Sequence, residues 1–379
     1  MNLNRRLFMA GVSAFSLTAC SSTAQSTRPT ARVLDADLRP VQTPAFMEWV
    51  ARFKPRATSA GISSGTFDAA FANAGYIPRV VDRDRNQIQT RRTLEDYLSI
   101  AVSDERMTKG RTAIRQHANT LASVEQRYGV DRNIVAAIWG MESLFGERRG
   151  DIPVVSATAT LAFDGRRGAF YESQLIAALK ILERGDTTPD QMIGSWAGAM
   201  GHTQFIPTSY QSFAVDFTGD GRRDIWSDDP TDSLASTAAY LSRNGWQSGL
   251  KWGSEEGTGG PSGRTLQPQA GGIKFTVTRN FTALKTYNNS DFYAIGIGHL
   301  ADRLGGAGPL RGSFPPDENG LTKTDRQTVQ RGLARRGFDV GAADGVIGGQ
   351  TIAAITAFQE QQGMAVTGVA SRDVLNALR

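Results

Sequence analysis

The stretch DRNIVAAIWGMESLFG, residues 131–146, decides how this chain is read. Asp131 is a helix N-cap residue, with a short carboxylate placed to accept the free amides of a first turn. Ile134, Val135, Ile138, Met141 and Phe145 recur at helical intervals, and Gly146 is the expected stop. On a wheel of about 100° per residue with Ile134 at zero, Ile138 falls near 40°, Val135 near 100° and Glu142 near 80°, all approximate. Glu142 therefore lies inside the apolar stripe. A carboxylate there is poorly solvated unless paired, so its pKa rises and it can donate a proton near neutral pH. The alternative is a buried glutamate neutralised by an arginine.

The chain around this segment predicts a mainly α fold with a small β element. Thr112–Tyr128 spaces Ile114, Leu121, Val124 and Tyr128 as one helix. Phe170–Glu183 and Ser233–Asn244 read as two more. Gly253–Gly272 is a Gly/Ser/Pro-rich loop, and IKFTV at Ile273–Val277 is the best strand candidate. Gly305–Gly320 holds five Gly and three Pro, which marks a linker. Beyond it, Leu321–Arg379 is a small module with helices expected near Lys323–Arg336, Thr351–Gln362 and Ser371–Leu378.

Composition narrows the function. With 379 residues, 40% hydrophobic and 21% charged, the chain suits two or three globular domains and not wholesale disorder. No run of 18 apolar residues exists, which argues against a spanning helix. One cysteine excludes a disulfide framework and a Cys-based zinc site. Three scattered histidines make a multi-histidine metal centre or a His-dependent triad a poor choice. A formal charge of +5 is too weak to indicate nucleic acid.

Met1–Cys20 reads as an export address. Arg5 and Arg6 form a positive start, and Leu7–Ala19 is an apolar run of signal-peptide length. The paired arginines also hint at the twin-arginine route. Leu17-Thr18-Ala19-Cys20 resembles a bacterial lipobox. That resemblance implies a lipidated Cys20, and Ser21 after it favours the periplasmic face of the outer membrane. The alternative is an ordinary signal peptide with a chance cysteine. Removing Met1–Ala19 takes away two arginines and no acid, so +5 falls to +3. Ser21–Thr43, rich in Ser, Thr, Ala, Arg and Pro, reads as a flexible tether.

A second block, SWAGAMGHTQFIPTSY at 195–210, is glycine-rich without a Gly-Lys-Ser/Thr sequence, so phosphate binding is not indicated. Gln204 offers both a donor and an acceptor to sugar hydroxyls and acetamides. Together with Glu142-Ser143, Phe145-Gly146, Ala214–Phe217, Gly219-Asp220-Gly221, Trp226 and Tyr287–Ser290, this block resembles the membrane-bound lytic murein transglycosylase B family over residues 44–306. The resemblance implies a lysozyme-like helical catalytic domain and one glutamate that acts as acid and then base. It also implies cleavage of the N-acetylmuramic acid to N-acetylglucosamine bond of peptidoglycan, leaving 1,6-anhydromuramic ends. Matching positions make Ser195, Gln204, Tyr240, Tyr287, Asn288 and Tyr293 groove residues, with Tyr97 beside them. The stretch between Trp246 and Tyr287 is shorter than in many relatives, which puts substrate contacts from it in doubt.

Asp216–Asp224 places oxygens at positions 1, 3, 5 and 9 with glycine at 6, like the front of an EF-hand loop, but Ser227 stands where the closing glutamate belongs. The family resemblance supplies Asp232 as the later carboxylate. Asp216, Thr218, Asp220, the Arg222 carbonyl and Asp232, with Asp224, then make a structural calcium site; no cofactor is expected for the chemistry. The alternative is a solvated turn paired with Arg222 and Arg223.

Leu333, Gly337–Asp339, Asp344–Val346, Gly348, Thr351, Phe358-Gln359, Gly363 and Thr367–Val369 resemble the small three-helix peptidoglycan-binding domain of cell-wall enzymes. The resulting organisation is a signal peptide at 1–19, a lipid-anchored tether at 20–43, a catalytic domain at 44–306, a linker at 307–320 and a binding domain at 321–379. The partners implied are glycan strands, stem peptides and the outer membrane. A hydrolytic muramidase and a non-catalytic wall-anchoring lipoprotein are the competing readings.

Overall fold

The structure, a computed structural model, describes residues 36–86 and 93–379. The expected signal peptide, the lipobox with Cys20 and most of the tether lie outside the described residues. The end of the tether differs from expectation. Leu38 is buried, Val41 bridges to Tyr76, and the Gln42 amide donates to the carbonyls of Ala72 and Ala74. Residues 36–43 are therefore fastened to the first helices.

The fold is mainly helical, with a two-stranded and a three-stranded sheet among the described residues. At its centre lies the helix Arg132–Ser143. Asp131 caps it, accepting the Asn133 amide at 2.7 Å. Every residue from Ile134 to Gly140 is buried. Helices Asp104–Gln116, Ala118–Tyr128, Thr231–Arg243 and Asp291–Leu304 pack around it. The apolar stripe read from the wheel is thus one side of a helix enclosed on most sides. Each fully buried Leu, Ile, Val or Phe in such a core contributes roughly 1.5–3 kcal/mol.

The single helix expected over Thr112–Tyr128 is two helices broken at His117, which ends one and starts the next. The apolar spacing runs across the break, so periodicity did not reveal it. The loop expected at Gly253–Gly272 contains two short strands, Gly253–Glu255 and Arg264–Leu266. Both pair antiparallel with the central strand Phe275–Val277.

Two apolar cores meet beside the central helix. One gathers Leu121, Ile138, Leu234, Phe281 and Ile297; the other gathers Phe46, Phe53, Leu179, Met200 and Phe205. Tyr240 and Tyr287 pack against both and so stand at the seam.

The C-terminal module has its own core of Leu321, Val329, Leu333, Ile355, Phe358 and Leu375, from helices Lys323–Arg335, Gly349–Gln361 and Arg372–Leu378. The stretch expected to be a linker is a strap. The Glu255 carboxylate accepts the amides of Arg311 and Gly312 at 2.8 and 2.6 Å, and Leu310 and Phe314 pack on the first core. The module also touches helix Leu94–Ala101. Arg326, 3% exposed, donates to Asp96 at 2.6 Å and Asp317 at 3.0 Å, and Lys323 donates to the Ser99 hydroxyl. The composition of 305–320 signals absent regular structure; it does not signal absent tertiary contacts.

Candidate active site

The central helix stops at Ser143, earlier than the glycine expected to stop it. Leu144 and Phe145 take positive φ of 51° and 59°. Such backbone costs about 1–3 kcal/mol per non-glycine residue and persists where surroundings enforce it. The enforcement is visible. The Ser143 hydroxyl donates to the His202 carbonyl at 2.5 Å and accepts the Gly146 amide at 3.0 Å. Phe145 folds back over Gly140, where a Cβ would meet its ring at 2.5 Å. Glu142 is thereby held on the last turn, against the glycine-rich block.

Glu142 is partly exposed, yet protein surrounds its carboxyl closely. The Tyr293 hydroxyl donates to its Oε1 at 2.6 Å. Burial pushes the Glu142 pKa up to about 7, against the smaller opposing effect of that hydrogen bond. No cation and no second carboxylate acts on it among the described residues. The arginine-neutralised alternative therefore does not describe this residue.

The tyrosines stand in a row from that point. Tyr293 stacks on Tyr287 at 6.4 Å between ring centres, and Tyr287 meets Tyr240 edge-on at 5.0 Å. The Tyr287 hydroxyl donates to the Thr203 carbonyl and the Tyr240 hydroxyl to the Thr286 carbonyl, each at 2.6 Å. Those two hydroxyls are engaged, so what they present is ring surface. Tyr97 packs edge-on against Phe292, the neighbour of Tyr293, at 6.0 Å. Asn288 is exposed at the end of helix Arg279–Tyr287.

Two expected ligand groups have other work. The Gln204 amide nitrogen donates to the carbonyls of Arg149 and Gly201 at 3.0 and 2.9 Å, with φ of 56°. The side-chain nitrogen is thus engaged, which removes the donor half of the donor-and-acceptor role expected of it and leaves only the acceptor oxygen for any ligand. The Ser195 hydroxyl accepts the Ala199 amide at 3.1 Å and closes its own turn.

Three supporting residues were not singled out in the sequence. Trp139 Nε1 donates to His202 Nδ1 at 3.1 Å, and His202 Nε2 lies 2.8 Å from the Ser227 carbonyl. Burial lowers the His202 pKa to about 4, so the imidazole is neutral and serves as a brace. Arg149 reaches Asp228 and the carbonyls of Trp226 and Ser227. The adjacency of Ser143 to Glu142, and of His202 to Gln204, was the only local signal for this bracing.

The aspartate loop closes on its own backbone. Asp216 accepts the amides of Gly219 and Gly221 at 2.6 and 2.8 Å, and Asp220 accepts that of Arg222. Asp224 accepts the amides of Trp226 and Ser227. Asp232 is buried, and its two oxygens take the amides of Phe217, Thr218 and Asp224. Arg223 turns away to Asp186 at 2.6 Å, which departs from the arginine-paired turn. Among the described residues no three His, Cys, Asp or Glu side chains converge as a metal cluster. Asp216, Thr218, Asp220, Asp224 and the Arg222 carbonyl carry oxygen, the donor type that a hard cation takes, while both Asp232 oxygens are engaged by backbone amides.

A helical fold that sets one desolvated glutamate at the end of a buried helix, beside a row of tyrosines, belongs to the lysozyme-like class. The chain belongs to the transglycosylase SLT domain family, whose model matches residues 45–259 and 258–302; a peptidoglycan binding domain model matches residues 322–378. SltB3 from Pseudomonas aeruginosa, solved in complex with NAG-NAM-pentapeptide, is 42% identical with a TM-score of 0.70. The match covers 89% of this chain and 100% of that one. A structure of the same protein with NAG-anhNAM-pentapeptide aligns at 41% identity and the same TM-score and coverage. Membrane-bound lytic murein transglycosylase B of Escherichia coli (strain K12) is 35% identical over 154 residues. That match spans 40% of this chain and 42% of the curated relative.

Proposed function

We propose that this protein is a lytic transglycosylase that cleaves the N-acetylmuramic acid to N-acetylglucosamine β-1,4 bond of peptidoglycan and leaves 1,6-anhydromuramic ends. The observation that carries the reading is Glu142, desolvated, hydrogen-bonded to Tyr293 and, among the described residues, without a carboxylate partner. A glycosidase that uses water needs two carboxylates flanking the bond. A single glutamate suffices when the substrate supplies its own nucleophile. Protonated Glu142 gives its proton to the leaving oxygen, and the Tyr293 hydroxyl stabilises the carboxylate that results. The muramyl acetamide stabilises positive charge at C1. Glu142 then takes the proton of the C6 hydroxyl as that oxygen attacks C1. No cofactor enters. Tyr240 and Tyr287, both partly exposed, offer ring surface to sugars, with the Gln204 oxygen and Asn288 beside them, while buried Tyr293 serves Glu142. Mass spectrometry of fragments released from purified peptidoglycan tests this: anhydro-ended muramyl products are expected, and ordinary reducing ends would assign a muramidase instead.

Export and anchoring are part of the proposal. Lipidation of Cys20 would hold the protein on the periplasmic face of the outer membrane, and the module at 322–378 would add attachment to glycan or stem peptide. Cys20→Ala should move the protein from the membrane to the soluble fraction; a wild type already soluble would refute the anchor. Calcium is proposed as a structural partner of the Asp216–Asp224 donors, bracing the turn without touching the chemistry. Millimolar calcium should raise Tm, and an unchanged Tm would leave the amide-closed turn complete by itself.

A further inference from the structure

A cavity of about 450 Å³ opens at the end of the central helix away from Glu142. Ile134 in its wall stands eight residues before Glu142, about 12 Å along the axis at ~1.5 Å per residue. Glu142 and the tyrosine row take no part in it. Its polar side chains are Glu125, Asp131, Asn133, Ser248, Lys251 and Asp302, set against Trp246 and Trp252; Glu125 is already paired with Arg132 at 2.6 Å.

Asp302 is the unusual group. Its Oδ2 accepts Trp252 Nε1 at 3.0 Å, and no ion pair reaches it among the described residues. Burial pushes its pKa up to about 6, opposed by Trp252 and by Lys251 at longer range. Asp131 spends one oxygen on the Asn133 amide. Trp246 is fixed by its own bond to the Gly129 carbonyl at 3.1 Å. The cavity therefore offers three carboxylates, of which Glu125 is spent on Arg132, and one ammonium, over an indole and aliphatic wall. A neutral sugar would leave the desolvated Asp302 charge without a counterion. A ligand ammonium would supply one through a charge-assisted hydrogen bond.

We propose that this cavity is a second binding site, for the zwitterionic end of a short peptide, with its ammonium on Asp302 and Asp131 and its carboxylate toward Lys251. The source of that peptide rests on the peptidoglycan reading above, since a stem peptide ending in a diamino acid carries both groups on one carbon. The site lets the enzyme grip a stem peptide away from the sugars being cut.

The test is calorimetric titration of the full chain with a glycan-free stem peptide bearing a free diamino-acid end. The same peptide with that amine acetylated and a peptide-free glycan oligomer are run beside it. The free peptide is expected to bind. Acetylation and Asp302→Asn should each weaken binding about tenfold or more, and Lys251→Gln by less. Glycan cleavage should be unchanged in both variants. Equal affinity for the acetylated peptide, unchanged affinity in both variants, or no binding by wild type overturns the proposal. If Asp302→Asn does not fold, Lys251→Gln, an exposed position, decides. Wild type that cleaves glycan without binding peptide sinks this inference alone; peptide binding without glycan cleavage sinks the transglycosylase reading alone.

Discussion

Asp84 and Glu142 are both carboxylates taken largely out of water, and they end with opposite charge behaviour. Asp84, on helix Pro78–Arg85, has a side chain 1% exposed and accepts from Arg166 at 2.6 Å and Arg167 at 2.5 Å. Those hydrogen bonds, Arg166 first, hold its pKa below the usual carboxylate range despite burial. Glu142 is more open, yet among the described residues its only side-chain partner is a tyrosine hydroxyl, and its pKa rises to about 7. Burial by itself does not poise a carboxyl for proton transfer. The charge of the partner decides: a guanidinium locks the anion, whereas a neutral hydroxyl leaves the proton exchangeable.

The comparison is open to breaking, and the largest effect belongs to Glu142→Gln. Volume is kept and proton transfer is lost, so turnover should fall by about 10²–10⁴ or more. Stability should move the other way. The folded pKa of about 7 lies above the ordinary glutamate value of 4.5, so the folded state holds the proton more tightly. The Glu142 contribution to stability is then fully present below the unfolded pKa and falls by up to about 3 kcal/mol as pH rises through the folded one. The Gln variant should lack this slope. A shared slope in urea melts across pH would show that Glu142 is not the desolvated group.

Tyr293→Phe is the intermediate case. It removes the one bond that favours the charged form, so the Glu142 pKa should rise further. The alkaline limb of the pH–rate profile should move to higher pH, with turnover reduced about tenfold. A limb that stays in place, or moves down, would separate Tyr293 from Glu142. Asp84→Asn is the smallest for catalysis. It should cost about 1–3 kcal/mol of stability, since Arg166 and Arg167 are half exposed and can be solvated. Turnover of the folded fraction should not change. The Asp84 contribution is present above its unfolded pKa and lost as pH falls through the folded one, the reverse of Glu142.

Much of this site was legible in the chain, but for reasons narrower than the structure provides. The wheel set Glu142 on the apolar side with Ile138 and Val135, and its carboxyl is desolvated in the structure. It did not show that Ala136, Ala137 and Trp139 are buried as well, because enclosure depends on helices arriving from elsewhere. Tyr293, the partner that matters to Glu142, is 151 residues away, beyond the reach of any periodicity argument. Family resemblance named it as a groove residue; its hydrogen bond to Glu142 at 2.6 Å adds a role that the resemblance did not supply. Gln204 was read from its functional groups, and only its positive φ and two carbonyl partners show which of them remains free. At the other extreme, the Gly/Pro stretch before the module was read as a spacer from composition. Glu255, Leu310 and Phe314 pin it, and Arg326 fastens the module to Asp96. Local composition reports what the backbone can do and is silent on which distant side chains hold it.

The central claim is that Glu142 keeps its proton near neutral pH because it is desolvated without a cation. Carboxyl-selective NMR titration of wild type against Glu142→Gln measures this directly. One resonance should titrate near pH 7 in wild type and be missing from the variant. A Glu142 carboxyl that titrates at or below about 4.3, as an exposed glutamate does, would contradict the account.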